Sequence, residues 1–164
     1  DAVSTATVLG GYEASAMDMF LGFIPGTIGE VSKVAILIGF AYMLLRKVIS
    51  WRIPVVMMAS FGLCAVLFGM EQDLATSLLS GGILFGAVFM ATDYTTCPMS
   101  PVGQYIYAVG CGVIIAVIRK WGSYAEGVTY GILIMNIVTP LIDKYVKMPV
   151  YGKEKAKKEV KANA

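Results

Sequence analysis

Five long apolar blocks divide this chain, and their length constrains its fold more than any other feature. The blocks cover residues 34–49, 54–70, 74–92, 102–118 and 127–142, and their interiors hold almost no charge. A membrane-spanning helix needs roughly 20 mostly apolar residues, with about 17 as the lower limit. A soluble protein can hide one such helix in its core, but not five in 164 residues. The blocks therefore predict an all-α integral membrane protein built as a bundle of about five transmembrane helices.

The overall composition agrees with this prediction. The chain is 57% hydrophobic and 15% charged, whereas a soluble domain is roughly half apolar and about a quarter charged. A transmembrane barrel would show apolar and polar residues in alternation, and these blocks are continuously apolar. Gly82 with Gly86, and Gly127 with Gly131, have the spacing that lets helix backbones approach closely. Chance is the alternative explanation, because the chain has 18 glycines.

The chain divides into three regions, residues 1–30, 31–145 and 146–164. In the first region, apolar positions recur in steps of three and four over residues 9–23, which predicts an interfacial amphipathic helix. The run I-P-G-T-I-G-E at residues 24–30 breaks this helix. Thr27 and Glu30 have capping-box spacing, which favours a start of the first spanning helix there. The second region is the transmembrane bundle, and the third is a basic cytoplasmic tail, for which contact with lipid headgroups is an alternative role.

The distribution of lysine and arginine sets the orientation. If the helices alternate in direction, the joint at residues 46–52 and the tail from Lys144 onward share one side, and that side holds ten of the thirteen basic residues. We therefore expect this side to be cytoplasmic and the first 30 residues to lie outside the cytoplasm. The three basic residues on the opposite side run against the trend, and they are Lys33, Arg119 and Lys120.

Several kinds of site are excluded by what the sequence lacks. The chain has no histidine, which removes haem ligation by His, most zinc sites and the usual general base. Its three cysteines have no C-x-x-C spacing. We expect no metal site, no catalytic residue and no nucleic-acid partner. The chain has no signal-peptide pattern and does not begin with Met, so we expect it to be a piece of a larger polypeptide.

The opening run D-A-V-S-T-A-T, residues 1–7, resembles the flavin-attachment motif of two related membrane proteins, the D subunit of Rnf complexes and the B subunit of sodium-pumping NADH:quinone reductases. The family pattern is roughly Asp-x-x-Ser-(Gly/Thr)-Ala-Thr. Asp1, Ser4, Ala6 and Thr7 match it, and Thr5 stands where glycine is commoner. In that family the final threonine forms a phosphoester with FMN, installed outside the cytoplasm by a flavin transferase. The resemblance therefore implies that Thr7 carries covalent FMN.

Three further runs are similar to the D subunit of Rnf complexes, in the same order and spacing. They are F-L-G-F-I-P-G-T-I-G-E at 20–30, L-L-R-K-V-I-S-W-R-I-P at 44–54, and F-G-A-V-F-M-A-T-D-Y-T-T-C-P-M-S-P-V-G at 85–103. The resemblance covers residues 1–152 and corresponds to the C-terminal half of that protein. It implies a multi-pass electron-transfer subunit of a prokaryotic inner-membrane translocase, a ferredoxin:NAD oxidoreductase that pumps Na⁺ or H⁺. Its partners would be the A, B, C, E and G subunits of the Rnf complex, and this chain alone would hold no complete active site.

Two acidic residues are weaker candidates for function. The related family also carries riboflavin without a covalent bond near the cytoplasmic side, and Asp93 with the loop at 93–103 is a candidate for such a site. The alternative is an ordinary helix-ending Asp in a proline-shaped turn. Glu30 is a candidate for an ion pathway, because ionisable groups at membrane depth often mark ion routes; a simple helix cap is the alternative. Two rival functions remain, a secondary transporter and a purely structural membrane subunit without a redox cofactor.

Overall fold

The structure is a computed structural model that describes residues 16–24, 29, 31–70, 74–122 and 127–146. Within these ranges all regular structure is helical, which confirms the all-α prediction. The helices, in chain order, are α1 (Ala16–Leu21), α2 (Lys33–Leu45), α3 (Arg52–Leu67), α4 (Leu74–Leu79), α5 (Ile83–Phe85), a π-helix (Gly86–Met90), α6 (Pro101–Trp121) and α7 (Val128–Tyr145).

Serine side chains cap the starts of two of these helices. Ser32 precedes α2 and accepts a hydrogen bond from the backbone N–H of Ala35 at 3.4 Å. Helix α2 therefore begins at Lys33, later in the chain than the Thr27–Glu30 spacing favours. Ser100 accepts the N–H of Gly103 at 2.9 Å, and proline occupies the first position of α6, where its missing N–H costs nothing.

Helices α3, α6 and α7 form the centre of the bundle, with α6 packed between the other two. A Cβ added at Gly112 of α6 would lie 2.8 Å from the carbonyl oxygen of Met57 and from the amide nitrogen of Phe61, so α3 and α6 meet almost backbone to backbone. On the other face of α6, the buried hydroxyl of Tyr107 donates to Oδ1 of Asn136 in α7 at 2.6 Å. This bond satisfies two polar groups inside an apolar core.

The glycine spacing noted in the sequence lies at a helix–helix contact. A Cβ at Gly131 would come within 2.6 Å of the side chain of Ile115, and one at Gly127 within 2.5 Å of Ile118. Both glycines therefore let α7 approach α6 closely, as small residues do between membrane helices.

The third apolar block is not one continuous helix, and the prediction of a single span over residues 74–92 was wrong in this respect. Helix α4 ends at Leu79, and α5 begins only at Ile83. Gly81 has a φ of +64°, a left-handed conformation that glycine adopts without steric cost. The chain then continues as a π-helix, with the N–H of Ala91 bonded to the carbonyl of Gly86, five residues back. We name residues 80–82 the helix break.

Among the described helices, α6 is long and apolar enough to cross a membrane by itself. Helices α2 and α3 are apolar but shorter, and the third block is divided at the helix break. The structure therefore contains a bundle of apolar helices with one full-length membrane-span candidate. That five segments cross the bilayer stays a prediction.

The predicted interfacial helix is described only in its second half, since residues 9–15 lie outside the described ranges. In α1, Met19 is buried against the rest of the protein. Phe20 and Phe23, which share its face in the sequence pattern, are exposed. An exposed aromatic pair next to a buried anchor is compatible with a segment that lies along an interface.

Candidate functional site

Most of the residues predicted to form the site lie outside the described residues. Asp1, Ser4, Ala6 and Thr7, the residues of the flavin-attachment motif, precede residue 16, where the description begins. Glu30, the candidate for an ion pathway, also falls outside it. Asp93 is described.

Asp93 lies just after the π-helix, and its carboxylate binds its own loop. One carboxylate oxygen, Oδ2, accepts the hydroxyl of Thr95 at 2.6 Å and that of Thr96 at 3.4 Å, and Oδ1 accepts the N–H of Thr95 at 3.3 Å. These bonds lower the pKa of Asp93, the side-chain bond from Thr95 most of all. The carboxylate therefore stays charged at neutral pH and holds the turn that leads into α6.

Contacts between distant segments bring three parts of the chain together at one end of the bundle. The hydroxyl of Ser50 donates to Gln104 at 3.3 Å, and the N–H of Met99 donates to Asp143 at 3.2 Å. These bonds bring residues 46–53, 92–104 and 143–146 together, and we name them the basic end because they include Arg46, Lys47, Arg52 and Lys144. These four described residues therefore lie at one end, as the charge count assumed, and the rest of the basic tail lies outside the described residues.

A cavity of about 310 Å³ opens at the basic end, between the α2–α3 joint, the loop after the π-helix and the start of α6. Its polar lining residues are Lys47, Ser50, Thr92, Tyr94 and Gln104. The carboxylate of Asp93 is not among the lining groups, although its neighbours on both sides are. The loop at 93–103 therefore borders a cavity, but the carboxylate of Asp93 binds the hydroxyls of its own loop.

At the opposite end of the bundle, two cations meet the helix break. The Lys33 ammonium, on a residue only 1% exposed, donates to the carbonyl of Gly81 at 3.2 Å. The Arg119 guanidinium donates to the carbonyls of Ser77 at 2.7 Å and Ser80 at 3.2 Å, and it stacks over the ring of Phe61 at 4.9 Å. Carbonyls at the C-terminal end of a helix carry a partial negative charge, so both cations stabilise the end of α4.

A third cation at this end has the same role. The Lys120 ammonium donates to the carbonyl of Gly69, just past the C-terminus of α3, at 3.2 Å. The three basic residues that ran against the charge count thus all bind helix-end carbonyls. From the sequence, these residues counted only as basic residues on the opposite side, and their bonds to helix-end carbonyls were not predicted. The serine and two glycines at 80–82 inside an apolar block were the available signal for a break that needs donors.

The described part of the chain does not bring three His, Cys, Asp or Glu side chains together as a metal site would require. The thiols of Cys64, Cys97 and Cys111 are all free. Cys97 lies at the basic end, where partial burial, followed by the nearby carboxylates Asp93 and Asp143, raises the pKa of its thiol.

Comparison with known proteins identifies the family. The model of the NQR2, RnfD, RnfE family matches residues 1–152. The chain belongs to this family. Among its relatives, the D subunit of the Na(+)-translocating ferredoxin:NAD(+) oxidoreductase complex of Acetobacterium woodii is 45% identical over 99% of this chain and 53% of the relative. The proton-translocating counterpart from Clostridium ljungdahlii is 41% identical over 93% of this chain and 52% of the relative.

Relatives in other bacteria are named more broadly. The D subunit of the ion-translocating oxidoreductase complex of Stutzerimonas stutzeri is 39% identical over 92% of this chain and 44% of the relative. The chain thus spans about half the length of the curated relatives it matches. The region that matches the family model begins at residue 1, so it includes both the run that ends at Thr7 and the loop around Asp93.

Proposed function

We propose that this chain is part of the D subunit of an ion-pumping ferredoxin:NAD oxidoreductase complex and carries FMN on Thr7. The observation that carries the proposal is the family match over residues 1–152, together with relatives named as D subunits of such complexes. Asp1, Ser4, Ala6 and Thr7 supply the attachment pattern within that match. The chain is an electron-transfer subunit of a translocase, and it does not hold a complete active site.

FMN supplies one-electron redox chemistry when bound, and the protein's share is to hold the group, tune it and exclude side reactions. A phosphoester requires a threonine hydroxyl that an enzyme can reach, and the three residues before Thr7 in the sequence, Ser4, Thr5 and Ala6, are small. Ferredoxin and NAD are bound by partner subunits, since the sequence has no glycine-rich dinucleotide loop. Those partners are the A, B, C, E and G subunits of the Rnf complex, and a flavin transferase acts during maturation.

The proposed orientation has the basic end in the cytoplasm and Thr7 outside it, in a prokaryotic inner membrane. Cytoplasmic loops of membrane proteins carry an excess of lysine and arginine. The bonds of Lys33, Arg119 and Lys120 to helix-end carbonyls support this orientation. Each of these cations binds carbonyls at a helix end, which gives it a structural role outside the cytoplasm and removes the objection to this orientation.

Riboflavin near Asp93 and an ion route through Glu30 remain predictions. The bonds of Asp93 to Thr95 and Thr96 favour a structural role for its carboxylate. The rival function of a secondary transporter draws on the helix break, since interrupted helices line the substrate sites of many transporters. The two functions differ in their cofactor, because a transporter needs no bound flavin.

The experiment is an in-gel test for covalent flavin. The protein is expressed in its complex with the flavin transferase, denatured, separated on a gel and viewed under ultraviolet light. We expect a fluorescent wild-type band, no fluorescence from Thr7→Ala, and full fluorescence from the matched control Thr5→Ala. Mass spectrometry of the peptide around Thr7 then locates the added group. A colourless wild-type band in the presence of the transferase contradicts the proposal and leaves the transporter and the structural membrane protein.

A further inference from the structure

The cavity at the basic end combines a cation with apolar walls. Lys47 and Ser50 line one side of it, and Val48, Ile49 and Ile53 supply apolar walls. Tyr94, which is 87% exposed, and Trp51, which is 54% exposed, lie in the two segments that border it. Tyrosine and tryptophan with this exposure are typical of the headgroup level of a bilayer. The lining therefore suits a ligand with a charged head and an apolar stem.

Lys47 has a backbone conformation that favours glycine. Its φ is +55°, and it follows the C-cap residue Arg46 of α2. The N–H of Val48 bonds to the carbonyl of Met43 and the N–H of Lys47 to that of Leu44, both at 3.0 Å. This is the Schellman pattern, in which glycine is the usual residue at the left-handed position. A lysine in this conformation is less favourable than glycine would be, because its Cβ approaches the following carbonyl oxygen, and its side chain lines the cavity.

The charges around the cavity favour an anion. Arg46 and Arg52 belong to the same joint as Lys47, and Lys144 lies at the same end. The acidic groups that face this region are Asp93 and Asp143, and each is already engaged. Asp93 accepts bonds from its own loop, and Asp143 accepts the N–H of Met99 at 3.2 Å. Among the described residues, this end therefore has four basic groups and two acidic groups, and both acidic groups already accept hydrogen bonds from the loop at 93–99.

The dimensions and walls of the cavity argue for a headgroup rather than a flavin ring. A volume of about 310 Å³ is near the lower limit, roughly 300 Å³, of small-molecule sites. A flavin ring needs a buried flat wall to stack against, whereas the aromatic residue in the described lining, Tyr94, is largely in solvent. Basic pockets between membrane helices on the cytoplasmic side are typical binding sites for anionic lipid headgroups.

We propose that this cavity binds the phosphate of an anionic membrane phospholipid. The Lys47 ammonium is its counter-ion, and the hydroxyl of Tyr94 donates to its oxygens. The walls formed by Val48, Ile49 and Ile53 contact the glycerol and the first acyl carbons. The inference rests on the membrane placement in the proposed function, but it is independent of flavin on Thr7.

The test is native mass spectrometry of the intact protein in its complex, after delipidation and addition of phosphatidylglycerol or phosphatidylcholine. Lys47→Gly removes the cation and places the favoured residue in the turn, so the variant keeps its fold. We expect wild type to retain phosphatidylglycerol in preference to phosphatidylcholine. We expect Lys47→Gly to bind phosphatidylglycerol roughly tenfold more weakly, as the loss of one charge-assisted bond implies. Lys144→Gln, which removes an exposed charge at the same end but outside the cavity, is the matched control and keeps the wild-type affinity.

Each other outcome overturns the proposal. Equal losses in Lys47→Gly and Lys144→Gln mean that general surface charge attracts the lipid. Full competition by millimolar inorganic phosphate assigns the cavity to a free phosphate instead of a lipid. Riboflavin released from wild type and missing from Lys47→Gly assigns the cavity to a flavin. In-gel fluorescence of the same samples keeps the two proposals apart, because Lys47→Gly leaves the flavin on Thr7 in place.

Discussion

At the scale of single residues, the structure separates groups that the sequence treats alike. In the sequence, the three cysteines share the absence of a C-x-x-C spacing. In the structure, Cys64 and Cys111 are buried in the bundle, whereas Cys97 lies at the edge of the cavity at the basic end. Cys97 is therefore the thiol whose reactivity reports on the charges of that end.

We expect alkylation of Cys97 to be slow at neutral pH and to accelerate at a higher pH than for a free thiol. Partial burial, then the charges of Asp93 and Asp143, raise the pKa of the thiol, and the thiolate is the reactive form. At a fixed pH, a raised pKa means less thiolate. Asp143→Asn removes one negative charge, so it lowers the pKa of Cys97 and speeds the reaction. The measurement is the rate of iodoacetamide labelling against pH, followed by peptide mass spectrometry.

Lys144→Asn is the matched control for this experiment, since it changes the charge of the neighbouring residue on α7. It should slow the labelling slightly or leave it unchanged. Equal acceleration by both variants would show that loosening of the end of α7, and not the charge of Asp143, controls the thiol.

At the scale of elements, the apolar blocks predicted the positions of the helices well where each block forms one helix. The block at 102–118 became α6 and the block at 127–142 became α7, each with its ends displaced by a few residues. The length of the apolar blocks could predict these helices, because a continuous apolar stretch of about 17 residues or more satisfies its backbone hydrogen bonds within one helix.

The block at 74–92 shows why the rest could not be predicted. Its composition is that of a span, but its helix break depends on donors from two helices that are distant in sequence. Lys33 on α2 and Arg119 on α6 supply those donors. Only the folded structure brings them to residues 77–81. The run that ends at Thr7 could be compared with a family motif from the sequence alone, because such a motif consists of neighbouring residues.

The bond from Lys33 to the helix break gives an expectation for stability. Lys33→Met keeps the length and apolar stem of the side chain but leaves the carbonyl of the partly buried Gly81 without this donor. An unsatisfied buried polar group costs about 1–3 kcal/mol. Lys120→Met is the matched control, since it removes an ammonium–carbonyl bond of the same length, 3.2 Å, from an exposed side chain. Water can replace the donor at Gly69.

We therefore expect Lys33→Met to lower the free energy of unfolding more than Lys120→Met does. The measurement is unfolding of the purified protein in mixed micelles of increasing sodium dodecyl sulfate fraction, followed by tryptophan fluorescence. If the two variants lose the same free energy, burial of Lys33 does not matter, and the helix break is stabilised by other contacts.

At the scale of the whole molecule, the two ends of the bundle differ in what their basic residues contact, and this difference bears on the orientation. The basic end collects Arg46, Lys47, Arg52 and Lys144, and the opposite end binds its cations to helix-end carbonyls. With the basic end in the cytoplasm, the segment before α2 lies on the other side, where a flavin transferase can reach Thr7. The flavin proposal and the lipid headgroup proposal therefore both depend on the orientation, and neither depends on the other.

This orientation is tested with an impermeant maleimide on two variants built on Cys97→Ser, each with one new exposed cysteine. Tyr94→Cys places a thiol at the exposed surface of the basic end, and Lys120→Cys places one at the opposite end. We expect right-side-out membrane vesicles to label Lys120→Cys only, and inside-out vesicles to label Tyr94→Cys only. The background Cys97→Ser without a new cysteine controls for Cys64 and Cys111, which are buried. The reverse pattern would place Thr7 in the cytoplasm, away from the transferase. Labelling of both variants from one side would contradict the alternation of the helices, because α6 would then not connect the two sides.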